Sequence, residues 1–150
     1  HLQPLIQVPE GVEPPPSLKN IYRELEMEGF QKKDEHNGDI SGWAKQGVLL
    51  LNAYLSVDAG NPGSHRCEEY DLFQRDVFSV LNHIDRPVVF LFWGSFARKF
   101  AKYCDNPRHL VLFANHPSPL SANRGGWFGC GHFKKTNEFL LANGQSPIDW

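Results

Sequence analysis

Apolar side chains follow two kinds of pattern along this chain of 150 residues. Leu18, Ile21, Tyr22 and Leu25 recur at i, i+3, i+4 and i+7 behind Ser17, which predicts a helix capped by that serine. The same spacing in Tyr70, Phe73, Val77, Val80, Leu81 and Ile84 predicts a longer helix. Phe96 and Phe100 mark a short one, and Phe133, Leu140 and Leu141 mark a last one ended by Asn143-Gly144. Between them, residues 46–51, 87–93 and 109–114 are apolar without alternation, as expected of strands buried on both faces in a parallel sheet. Helices alternating with such strands predict an α/β fold of three layers, with a central, mostly parallel four-stranded sheet flanked by helices. Residues 1–16 are proline-rich and contain no strand pattern. With histidine at position 1 and Met27 as the only methionine, the single domain over residues 1–150 is expected to be incomplete at its amino end, its opening strand lying upstream.

In parallel sheets of this kind ligands sit beyond the carboxyl ends of the strands. The three runs end at Asn52, at Gly94-Ser95 and at Asn115-His116, so Asn52, Ser95 and His116 are expected on one rim. The last run leads into His116-Pro117-Ser118-Pro119-Leu120-Ser121-Ala122-Asn123-Arg124-Gly125-Gly126, a proline-stiffened loop carrying an imidazole, hydroxyls, an arginine and one leucine. The two prolines restrict the backbone and lower the entropy lost when a ligand orders the loop. The same composition also serves an ordinary surface turn.

Charge favours the ligand reading. The net charge is −2, but residues 1–85 hold seven Lys and Arg against fourteen Asp and Glu, whereas residues 86–135 hold eight against the lone Asp105. A local positive surface attracts phosphates even on a near-neutral molecule. Arg124 stands apart from the helical lysines because it lies in the loop itself, four residues past Leu120. Cys67, Cys104 and Cys130 form no Cys-x-x-Cys pair, so free thiols in an intracellular, reducing setting are expected rather than disulfides or a metal site. No apolar run reaches the length of a membrane span, and no secretory signal pattern is present.

Four segments, Gly42-Trp43-Ala44-Lys45-Gln46-Gly47-Val48-Leu49-Leu50-Leu51-Asn52, Val89-Phe90-Leu91-Phe92-Trp93-Gly94-Ser95, His116-Pro117-Ser118-Pro119-Leu120-Ser121 and Pro147-Ile148-Asp149-Trp150, closely resemble the family 1 uracil-DNA glycosylases in content, order and spacing. Pro14-Pro15-Pro16-Ser17-Leu18 resembles that family's proline-rich loop, so the likeness runs from about residue 9 to residue 150. The resemblance implies excision of uracil from single- or double-stranded DNA in base-excision repair, by flipping the nucleotide and hydrolysing the N-glycosidic bond. It implies no cofactor and no metal, and a monomer. The nuclear, mitochondrial or bacterial setting is left open.

The residues make chemical sense of these roles. The Asn52 amide carries a donor and an acceptor that match uracil O4 and N3–H, whereas cytosine presents the reverse arrangement. A neutral His116 donating to uracil O2 would stabilise the charge that builds on the departing base, an effect worth roughly 10²–10³ in rate. Ser17, Ser95, Ser118 and Ser121 correspond to the family's phosphate-gripping hydroxyls, with Ser17 and Ser95 also read as helix caps. Leu120 would fill the gap left in the base stack, and Arg124 would support the DNA contact. His36, His65, His83, His109 and His132 are read as structural.

The chain departs from the family in three places. Gly125-Gly126-Trp127-Phe128-Gly129 is one residue longer, with tryptophan where the family tends to have phenylalanine. The family's Gly-Gln-Asp-Pro-Tyr-His motif, which handles the attacking water and excludes thymine, is not within these 150 residues. Leu5 and Ile6 stand where a stacking phenylalanine is expected. Loss of a general base costs about 10²–10⁴ in rate, so this stretch alone is expected to be impaired. A noncatalytic DNA-binding relative is the alternative, and a hydrolase built on Cys130 and His132 a weaker third.

Overall fold

The computed structural model describes residues 15–51 and 68–150, with side chains in the second stretch described from residue 72. Helix α1 spans Pro16–Met27, α2 Ser41–Lys45 and α3 Glu68–Asn82. Strand β1 (Val89–Trp93) leads into α4 (Ser95–Arg98) and a 3-10 turn (Lys99–Tyr103), and β2 (Leu110–Ala114) is followed by α5 (Pro119–Ala122) and α6 (His132–Ala142).

The two strands run parallel, with Val89 opposite Leu110 and Trp93 opposite Ala114. Side chains alternate across a strand, so β1 divides the interior in two. Phe90 and Phe92 enter one cluster with Phe78, Phe100 and Cys104. Trp93 packs on the other, where Leu18, Ile21, Tyr22 and Leu25 of α1 meet Trp43, Trp127, Phe133 and Trp150. The carboxyl-terminal residues close this second cluster. The Trp43 indole donates to the Trp150 carbonyl (2.8 Å), and the Gln46 side chain accepts from the Asp149 amide (2.7 Å) while donating to its carbonyl (2.9 Å).

The α/β class, both parallel strands and the helices around them agree with the sequence pattern. Four expectations need correction. Residues 46–51 form no strand: the Val48 amide turns back to the Trp43 carbonyl (3.1 Å), while Val48, Leu50 and Leu51 still pack on the cores. Apolar content earns burial there, but a strand also needs a neighbouring ladder, and among the described residues the sheet has two strands. The strands are not covered on both faces throughout, since Phe113 is 43% exposed, with the Arg98 guanidinium 4.7 Å over its ring. In α3 the inward face is Gln74, Phe78 and Asn82, one turn apart, whereas Val80 is 69% exposed and Phe73 is also exposed. Finally, neither Ser17 nor Ser95 is a cap: Pro15 and Gly94 occupy those positions, and each serine lies in the first turn.

Candidate active site

Because β1 and β2 are parallel, their exits lie on one edge. The Gly94 amide donates to the Ala114 carbonyl (2.8 Å), which places Ser95 and His116 side by side on that edge. Gly94 holds φ +94°, and a Cβ added there would lie 3.4 Å from the His116 Cβ, so glycine allows the imidazole to pack directly on this turn.

His116 is held in a defined state. Its Nδ1 accepts the Ser118 amide (3.0 Å), which leaves the ring proton of the neutral form on Nε2 as a donor. Burial lowers the His116 pKa below its ordinary value of 6.5, favouring that neutral ring.

The loop after His116 is less open than its composition implies. Pro117 is buried, and Pro119 begins the helical turn α5, a position that suits proline because its missing N–H would have no partner there. That turn presents Leu120 to solvent at 82% exposure. Asn115 closes the base of the loop: its amide donates to the Gly126 carbonyl (2.9 Å) and its side chain to the Gly125 carbonyl (2.8 Å). Arg124 is exposed just before that closure.

Helix α1 fastens the loop from beneath. The Asn20 side chain donates to the Pro117 carbonyl (2.8 Å), and the Trp127 indole donates to the Asn20 carbonyl (3.1 Å). One turn earlier Ser17 reaches a cavity of about 860 Å³, which Ser95, His116 and Ser121 also line. Ser17, Ser95, His116 and Ser121 thus line one cavity. Ser118, Leu120 and Arg124 ride on the same loop outside the cavity lining, and Asn52 lies outside the described residues.

Sequence reasoning did not find Asn20 or Trp127 as supports of this loop, nor Glu24, whose carboxylate accepts the Gly129 and Gly131 amides just beyond it. The available signal was polar residues at positions 20 and 24 within the apolar stripe of α1. His109 and His132 are structural, as expected. His132 accepts the Trp93 indole N–H at Nδ1 (2.9 Å) and donates from Nε2 to the Phe113 carbonyl (3.1 Å), tying the ends of both strands. That arrangement excludes the Cys130–His132 hydrolase, because both ring nitrogens are engaged and burial pushes the Cys130 thiol up to about 11. Cys104 and Cys130 are free thiols, and Cys67 lies outside the described residues. Among the described residues no helix is long and apolar enough to cross a membrane.

Comparisons with known proteins place the chain in a family. The family model for the uracil DNA glycosylase superfamily matches residues 10–141. The uracil-DNA glycosylase of Christiangramia forsetii is 49% identical over 95% of the chain, and that of Dichelobacter nodosus 48% identical over 95%. The chain spans 64% and 62% of those two proteins' lengths. Among solved structures, mimivirus uracil-DNA glycosylase superposes with a TM-score of 0.86 at 26% identity, covering 96% of this chain and 58% of that one. The chain belongs to the uracil-DNA glycosylase superfamily.

Proposed function

We propose that this chain carries the DNA-gripping and charge-stabilising part of a uracil-DNA glycosylase, an intracellular hydrolase of base-excision repair that releases uracil from single- or double-stranded DNA. The observation that carries the reading is the His116 imidazole, neutral, with Nε2–H as its donor, on a cavity shared with three serine hydroxyls. The reaction breaks the N-glycosidic bond with its electrons passing to the base, so negative charge grows on uracil O2. A fixed donor at that oxygen stabilises the transition state more than the substrate.

The other roles follow from chemistry and position. Ser17, Ser95, Ser118 and Ser121 hold the phosphates flanking the flipped nucleotide. Leu120, exposed on the α5 turn, enters the gap in the stack, and Arg124 pairs with phosphate. Asn52 reads the uracil edge through O4 and N3–H. The protein acts as a monomer and needs no cofactor.

The test gives the protein carrying this sequence an oligonucleotide with one deoxyuridine and, separately, its thymidine twin. Release of free uracil from the first and no base from the second supports the enzyme. Tighter binding of the deoxyuridine strand without release supports the noncatalytic relative. Equal binding of both strands with no release contradicts both readings.

A further inference from the structure

Helix α1 and its C-cap carry three polar residues one turn apart, Asn20, Glu24 and Glu28; Glu24 faces the segment between the loop and α6, and Glu28 the first turn of α6. Glu24 is wholly buried, at 0% exposure, yet pairs with no cation among the described residues. Its two oxygens accept the amides of Gly129 (2.7 Å) and Gly131 (3.1 Å). Glu28 Oε1 accepts the Lys134 amide (2.7 Å), while Oε2 is shut off from solvent with no hydrogen-bond partner. Oxygens of the two carboxyls and the Cys130 sulfur all lie within 4.8 Å of one another. Two carboxylates this close repel when poorly solvated. One proton removes the repulsion and supplies the donor that Oε2 lacks.

We propose that Glu24 and Glu28 share a single proton in the folded protein and act together as a positioning device, tying residues 129–134 to α1 and so fixing the carboxyl-terminal end of the loop that bears Leu120 and Arg124. The inference stands on this geometry and does not depend on the proposed activity. Burial first, and the neighbouring Glu24 second, push Glu28 up to about 8, so the pair holds its proton at neutral pH. The other groups facing it are compatible. The Cys130 thiol, pushed up to about 11 by burial, stays neutral, and burial also keeps His132 at the start of α6 neutral. Lys135 of α6 is the nearby cation, and its Nζ donates to the Cys130 carbonyl (3.2 Å).

A carboxyl raised from 4.5 to about 8 binds a proton in the folded state that the unfolded chain releases across that window. Its stabilisation is complete below about 4.5, shrinks as pH rises, and is gone above about 8. Glu28→Gln keeps a donor toward Glu24 without the titration. Urea unfolding of both proteins from pH 5 to 9 should show the wild-type unfolding constant rising relative to the variant's by close to about tenfold per pH unit until pH 8. Parallel pH dependence of the two would overturn the proposal. Carbon-13 titration of wild-type glutamate carboxyls checks the same point should the variant not fold: one carboxyl with a midpoint near 8 supports the shared proton, and all midpoints below 5.5 overturn it.

Discussion

The Ser118 amide donates to Nδ1 of His116 at 3.0 Å, so a residue of the loop sets the protonation geometry of its own neighbour. The bond can persist only while Nδ1 lacks a proton, and burial separately opposes imidazolium by taking its charge out of water.

His116 is therefore expected to be the Nε2–H tautomer at pH 7 and to titrate below its ordinary 6.5. A depressed histidine binds its proton more readily in the unfolded chain, so its contribution to stability is present above 6.5 and is lost as pH falls through the lowered value. Nitrogen-15 spectra of the imidazole against pH measure both features. A midpoint above 6.5, or a proton on Nδ1, contradicts the reading.

Leu120 is 82% exposed and contributes little packing. Leu120→Ala should change stability by less than about 0.5 kcal/mol, while weakening binding to a deoxyuridine duplex more than to the same single strand. The wedge role fails if both affinities fall equally or neither falls.

Gly126 sits at φ +85°, and a Cβ there would lie 2.1 Å from Asn115 Nδ2, the atom that closes the loop. Gly126→Ala is expected to cost about 1–3 kcal/mol from backbone strain, with the Asn115 bond displaced in addition. Urea unfolding gives the first figure, and hydrogen exchange of the Asn115 side-chain amide reports the second. An unchanged denaturation midpoint would show that the loop closes differently.

Arg124 is exposed beside that closure, away from the cavity lining. Replacing it with alanine should weaken binding to uracil-containing and ordinary DNA alike. The slope of log affinity against log salt should shrink by about 0.9 on duplex, the signature of one lost phosphate contact. An unchanged slope removes Arg124 from the interface.

Much of this arrangement was legible in the residues because it depends on local pattern. β1 and β2 are apolar runs with clear ends, α6 stops at Asn143-Gly144, and parallel strands oblige Ser95 and His116 to share an edge once both are strand exits. Other features depend on partners far along the chain. Residues 46–51 have the content of a strand without its ladder. The α3 stripe admits two faces a residue or two apart, and contact with Phe90 and Phe92 selects the one through Phe78. Asn20 and Glu24 look misplaced in an apolar stripe until the Pro117 carbonyl and the Gly129 and Gly131 amides, about a hundred residues away, are seen to need them.

The most direct test of the central claim is uracil release and DNA affinity measured together in a His116→Leu variant of the protein carrying this sequence. The account predicts that release falls by about 10²–10³, as expected for one lost donor at a developing oxyanion, while affinity for deoxyuridine DNA changes less than about tenfold. Equal losses in both, or release left intact, would contradict it.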